Sequence, residues 1–185
     1  MTKPVEPDEQ LMAQVARDQR EPLGILLRRY GSPLLTFIQR MIGDRHRSEE
    51  LFQEVFLAVW VSRRKYEFPR PFRAWLFGIA VNKCRGEFRA AGPGVVSFHE
   101  QVAYGDSPQS IGPDDAAIAV ETAVIVQTAV TRLPEQQRMA VVMRVWNGLS
   151  YAEIADIMQR AESTVRSDMF HGLASLRKYL EPRLK

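Results

Sequence analysis

The sequence predicts an all-α protein, two helical domains joined by a flexible linker. Three observations predict it. Apolar residues recur at helical spacing through most of the 185 residues, a Gly- and Pro-rich stretch without periodicity interrupts them once, and no segment alternates as a half-buried strand would.

The first domain is expected over residues 1–92. From Asp8 to Ala91 the pattern is helical, punctuated at Gly31-Ser32-Pro33, Gly43-Asp44 and Phe68-Pro69-Arg70-Pro71. The clearest helix spans Ser48 to Arg64. Leu51, Phe52, Val55, Phe56, Val59 and Trp60 make one apolar face, and Glu49, Glu50, Gln53 and Glu54 fall on or beside the opposite one. Ser48 is the expected N-cap, with acidic residues suiting the positive end of the helix dipole. After the Pro-x-Pro break, Phe72 to Arg89 reads as a second amphipathic helix, with Trp75, Leu76, Ile79, Ala80 and Cys84 on its apolar side. All three tryptophans, Trp60, Trp75 and Trp146, are expected in the core.

The linker is expected over residues 93–120. Four glycines and three prolines crowd residues 92–115, a composition that leaves a chain flexible or ordered only when bound. The second domain, residues 121–185, contains a helix from Glu135 to Trp146 behind the Leu133-Pro134 break. Ser150 then caps a short helix, Tyr151 to Met158, and Glu162 or Ser163 opens a final helix reaching about Leu180.

Charge follows the same division. Residues 1–92 hold 16 basic and 11 acidic side chains, the linker holds none and four, and residues 121–185 hold nine and seven. Two basic blocks flanking an acidic stretch suit two separate surfaces for a polyanion.

Several function classes are disfavoured. A lone cysteine and three scattered histidines offer neither a disulfide nor zinc-type spacing, so no metal or cofactor is expected. No run is long and apolar enough to enter a membrane, the N-terminus lacks a signal-peptide core, and a cytoplasmic location is expected. No Gly-rich phosphate loop or nucleophile elbow appears. The carboxylate pairs Glu49-Glu50 and Asp114-Asp115 are adjacent in sequence and point to different sides of a helix. The protein is expected not to be an enzyme.

A short helix, a tight connection and a longer helix make a helix-turn-helix, whose second helix enters the major groove by its N-terminal part. Ile154, Ala155 and Met158 are expected to pack on Val165 and Met169, leaving Ser163, Thr164, Arg166, Ser167 and His171 for DNA. Spacing alone leaves this open between DNA binding and an ordinary helix pair.

Three runs carry a family resemblance. Leu133-Pro134-Glu135-Gln136-Gln137-Arg138, then Gly148-Leu149-Ser150-Tyr151-Ala152-Glu153-Ile154-Ala155 and Ser163-Thr164-Val165-Arg166-Ser167, resemble region 4 of extracytoplasmic-function (ECF) sigma factors of the sigma-70 family. Glu49-Glu50-Leu51-Phe52-Gln53-Glu54-Val55-Phe56 is similar to the region 2 signature. Phe72-Arg73-Ala74-Trp75-Leu76 through Asn82 resembles the family's F-x-x-W-L-x-x-I-A-x-N. The resemblance implies a sigma factor that binds core RNA polymerase and promoter DNA, and an anti-sigma factor as partner. It implies that Glu49, Glu50, Gln53 and Glu54 meet the clamp helices of the polymerase largest subunit. Melted −10 DNA would follow a track of Arg63, Arg64, Lys65, Arg73, Lys83, Arg85 and Arg89, with Tyr66 and Phe68 in a base-capturing loop and Asn82 on a base edge. Ser163, Thr164, Arg166, Ser167 and His171 would meet the −35 element.

The chain departs from the family pattern in places. Asp168, Phe170 and Leu173 stand where cations are common, the helix-turn-helix turn lacks its usual glycine, and Gly78 replaces a commonly basic position. Two other readings accompany the sigma factor: a stand-alone helix-turn-helix regulator, and a sigma-like module that sequesters a regulator.

Overall fold

The computed structural model describes residues 6–91 and 113–184, and among them every regular element is helical. The N-terminal half contains α1 (Asp8–Ala16), α2 (Glu21–Ile42), α3 (Arg45–Val61), a 3-10 turn at Arg63–Lys65 and α4 (Phe72–Ala91). The C-terminal half contains α5 (Pro113–Thr131), α6 (Glu135–Val145), α7 (Tyr151–Met158) and α8 (Glu162–Leu180). Most of the expected linker lies outside the described residues, and its last part, from Pro113, belongs to α5.

α2 runs unbroken through Gly31-Ser32-Pro33, where the sequence suggested a stop. An internal proline costs a helix about 3 kcal/mol. The apolar stripe explains why the helix continues. Leu26 lies before Pro33, and Leu34, Phe37, Ile38 and Met41 after it, all fully buried. Each such side chain gains about 1.5–3 kcal/mol on burial, so keeping them on one face outweighs the proline. The true stop is Gly43, whose φ of 80° suits a residue without Cβ and whose N–H bonds the Gln39 carbonyl at 2.8 Å.

Asp44, next in the chain, caps α3 by accepting from the Arg47 N–H at 2.7 Å. The helix thus begins a turn earlier than expected. Ser48 is not its cap but a buried residue within it, its hydroxyl donating to the Asp44 carbonyl at 2.5 Å. Leu51, Val55 and Val59 supply α3's fully packed line, while Phe52, Phe56 and Trp60 are only half-buried beside it. Trp60 lies under Arg63 at 4.1 Å and Trp146 under Arg40 at 4.1 Å; of the three tryptophans Trp75 is buried and these two pack on the core only partly buried. An aromatic cluster closes the end of this half. Tyr30 meets Phe72 edge-on at 5.4 Å, and Tyr66 meets Trp75 at 5.3 Å.

In the C-terminal half α8 packs along α6, with Val165, Met169 and Leu176 facing Met139, Val142 and Met143 in one buried cluster. Gly172 permits the approach. A Cβ there would stand 2.8 Å from Val141 Cγ2 and 3.5 Å from the Gln137 carbonyl oxygen. The halves also meet each other, α4 against α7 and α2 against α5 and α6.

Gly172→Ala measures that closeness. Overpacking costs about 1–3 kcal/mol, against a helix-propensity gain of about 1 kcal/mol. The variant is expected to unfold at lower urea concentration, and an unchanged or raised midpoint would show that α6 and α8 have room to spare.

Candidate functional site

α7 and α8 are built as the sequence anticipates. Ser150 and Glu153 form a reciprocal cap: the Glu153 N–H donates to the Ser150 hydroxyl at 3.2 Å, and the Ser150 N–H to the Glu153 carboxylate at 2.7 Å. Ile154, Ala155 and Met158 are buried with Val165 and Met169. The turn between them lacks glycine because Gln159 adopts the left-handed conformation, φ 57° and ψ 48°, with its side chain donating to the Asp156 carbonyl at 3.0 Å.

This arrangement leaves Ser163, Arg166, Ser167 and His171 exposed and Thr164 half-buried on the outer side of α8. Arg166 bonds Glu162 at 2.5 Å and lies 4.3 Å over the Tyr151 ring, which holds its guanidinium near the start of the helix. The Asp168 carboxylate accepts from Arg160 at 2.8 Å. Its charge is thereby matched from the turn, a pairing that no sequence motif marks. Phe170 is 71% and Leu173 46% exposed, an apolar continuation of the same surface.

On α3, Arg47 is the hub of an ion-pair network that sequence reasoning missed. It pairs with Glu50 at 2.7 Å, Glu54 at 3.3 Å and Glu87 at 2.6 Å, and Glu54 also accepts from Lys83 at 2.8 Å. The hydrogen bond from Lys83 holds the Glu54 carboxyl below its usual range, and that from Arg47 does the same for Glu87. Glu49 pairs with Arg45 at 3.0 Å. Gln53 is exposed, and so are Leu57 at 62% and Val61 at 71%. Glu50, Gln53, Leu57 and Val61 fall in one stripe at i, i+3, i+7 and i+11. That spacing is visible in the sequence, but a sequence does not distinguish apolar helix residues that face solvent, as Leu57 and Val61 do, from those that face the core.

The basic segment is less uniform than a track. Arg63 and Arg64 both hold Asp18, and their hydrogen bonds keep its carboxyl below the usual range. Lys65 and Arg89 are exposed. Lys83 belongs to the α3 network. Arg73 donates to the Asn147 carbonyl, and Arg85 approaches the Met158 carbonyl and Glu135 carboxylate, both at 3.5 Å. Tyr66 is buried, its hydroxyl on the Arg70 carbonyl, and burial pushes its pKa up to about 12. Phe68 is 59% exposed. Asn82 is exposed on α4, at the rim of a cleft of about 540 Å³ between α4 and α7. Gly78 lines the same cleft.

No group of three or more His, Cys, Asp or Glu side chains among the described residues is placed to hold a metal, and no described helix is long and apolar enough to cross a membrane. Cys84 is buried, and burial pushes its thiol up to about 12, far from a reactive state.

Residues 26–93 match the model of sigma-70 region 2, and residues 123–176 match that of sigma-70 region 4. The chain belongs to the sigma-70 family, as a sigma factor of the ECF type. Relatives match it end to end. The RNA polymerase sigma-H factor of Pseudomonas aeruginosa is 28% identical, covering 97% of each chain. The ECF RNA polymerase sigma-E factor of Escherichia coli K12 is 27% identical, covering 96% of each. CnrH, solved in complex with the cytosolic domain of CnrY, shares the fold, with a TM-score of 0.75 at 24% identity over 96% of this chain and 99% of that one. This sigma factor carries both regions in one chain, which a stand-alone helix-turn-helix regulator lacks. It acts in transcription initiation with RNA polymerase and is no enzyme.

Gln159 offers a test of how tightly the turn is set. A non-glycine residue in the left-handed region is strained by roughly 1–2 kcal/mol, part of which glycine returns to its own unfolded-state entropy. Gln159→Gly is expected to raise the thermal midpoint, equivalent to about 0.5–1 kcal/mol. A fall would mean that the Gln159–Asp156 hydrogen bond outweighs the backbone strain.

Proposed function

We propose that this sigma factor docks on the clamp helices of the polymerase largest subunit through α3, using Glu49, Glu50, Gln53 and Glu54. Leu57 and Val61 extend that face. The exposed stripe from Glu50 to Val61 carries the reading, since a helix turning two large apolar side chains to solvent beside its polar contacts has the composition of an interface.

In this reading residues 1–92 bind polymerase and the −10 element, residues 93–120 link, and residues 121–185 bind the −35 element. Arg63, Arg64, Lys65, Arg73, Lys83, Arg85 and Arg89 follow the backbone of the melted strand, and Asn82 reads a base edge. Phe68, already exposed, is the aromatic that stacks on an extruded base, and the buried Tyr66 shapes the loop beneath it. At the −35 element Ser163, Thr164 and Ser167 bind phosphate or base edges, Arg166 reads a guanine or a phosphate, and His171 reaches the flank. An anti-sigma factor is the proposed regulator, as CnrY's cytosolic domain is the partner in the CnrH complex. The protein works in the cytoplasm, with polymerase and promoter DNA.

Run-off transcription with purified core polymerase on a promoter library tests the whole reading, and failure to bind core or to direct initiation would sink it. Replacing Glu50 and Gln53 with Arg is expected to weaken core binding about tenfold or more while leaving helicity unchanged. Equal core affinity in that variant would move the docking face elsewhere. Phe68→Ala is expected to lose about 1–3 kcal/mol of affinity for melted −10 DNA, and Tyr66→Phe to lose little. The reverse order would assign base capture to Tyr66.

A further inference from the structure

Two arginines stand at the start of α8, and a carboxylate holds each of them. Arg166 bonds Glu162 through Nε and Nη2, at 3.0 and 2.5 Å, one helical turn back. Arg160, in the turn before the helix, bonds Asp168 through Nη1 at 2.8 Å. Its backbone is fixed as well, since the Arg160 N–H donates to the Ala155 carbonyl at 3.0 Å and closes the end of α7. Both arginines are exposed.

The two ion pairs lie on opposite sides of the helix. Side chains two residues apart, as Arg166 and Asp168 are, point about 200° from one another. Ser163 and Ser167 fall between them on the outer face, and Val165, Met169 and Gly172 are buried behind. The reading face is thus a pair of hydroxyls bracketed by a pair of guanidiniums. A helix roughly 10–12 Å across fills a major groove about 12 Å wide, so its flanks meet the two phosphate strands while its middle meets the bases.

We propose that Arg160 is a further promoter contact, binding a phosphate at the edge of the −35 groove opposite Arg166, and that Asp168 is the positioning residue that holds it there. The inference rests on the assignment of α8 to the −35 element and adds to it a residue outside that helix.

The chemistry suits a phosphate. One donor of the Arg160 guanidinium goes to Asp168, and the planar fork carries others that can meet a phosphate with parallel hydrogen bonds. An arginine already anchored also loses less rotamer freedom on binding than a loose one. Asp168 by itself would repel the strand, but the Arg160 side chain is 35% exposed and that of Asp168 19%, so the cation is the outer member of the pair. An exposed ion pair adds little to folding stability, and its loss is therefore read in DNA binding.

The test uses holoenzyme assembled with purified core polymerase, and a fluorescent promoter duplex taken from the run-off library, at several salt concentrations. Arg160→Ala is expected to weaken binding about fivefold and to lower the slope of log Kd against log salt by about one, the signature of one lost phosphate contact. Asp168→Asn removes a negative charge from a DNA-facing helix, yet it is expected to weaken binding about threefold. Positioning requires that sign, because simple repulsion predicts tighter binding. In the Arg160→Ala background, Asp168→Asn is expected to weaken binding no further. On the same promoter cut short of its −35 element every variant is expected to bind as the parent does, with helicity unchanged.

An Asp168→Asn variant that binds as tightly as the parent, or more tightly, overturns the positioning role. Unchanged affinity and salt slope in Arg160→Ala, or an equal loss on the shortened promoter, overturns the contact. Arg166→Ala separates these failures from that of the assignment beneath them. If it weakens binding while Arg160→Ala does not, the −35 assignment stands and the Arg160 contact alone falls. If neither weakens it, α8 does not meet the −35 element and both fall.

Discussion

A guanidinium buried among backbone carbonyls joins the two halves of this molecule. Arg138 donates to the carbonyls of Thr131 and Leu133 at the end of α5, and to Met41 at the end of α2. Helix C-termini leave carbonyls without intrahelical partners and carry partial negative charge, so one cation serves two of them at once. Burial draws its pKa down to about 10, which still leaves it charged at neutral pH. That side chain ties the Leu133-Pro134 break and the start of α6 to the end of α2. A planar fork with several donors meets this requirement, and a lysine in its place would not reach three acceptors.

Much of the fold was legible because its signals are local. The Leu133-Pro134 and Asn147-Gly148 breaks, the Ser150 cap and the apolar positions of α7 and α8 each act within a few residues, and each lies where the pattern put it. The misplaced features have non-local causes. Pro33 reads as a stop, yet the stripe from Leu26 to Met41 is buried against other helices and overrides it. Ser48 reads as a cap, but Asp44, beside the left-handed Gly43, reaches the Arg47 N–H first. Trp60 and Trp146 read as core, and they are only partly buried against it, with Arg20 and Arg63 over the one ring and Arg40 over the other.

The candidate surfaces were legible as residue types and not as arrangements. A string of arginines from 63 to 89 suggests one positive track. In the folded chain Arg63 and Arg64 hold Asp18, Lys83 joins Arg47's network, and Arg73 and Arg85 reach the other half. No sequence pattern announces those partners, because they come from positions 29 to 74 residues away. The family motifs supplied the order of the two regions, and the side-chain pairs supply their electrostatic state.

The pair between Arg160 and Asp168 has a consequence for how promoter preference is inherited. Asp168 sits on the helix proposed to read DNA, but its charge is answered by a residue in the preceding turn. Specificity in this reading is therefore stored in two places, and a change at Arg160 unmasks an anion facing the groove without touching the reading helix. Grafting α8 alone into a relative would transplant a lock without its ward, whereas moving the turn and helix together would carry the preference intact.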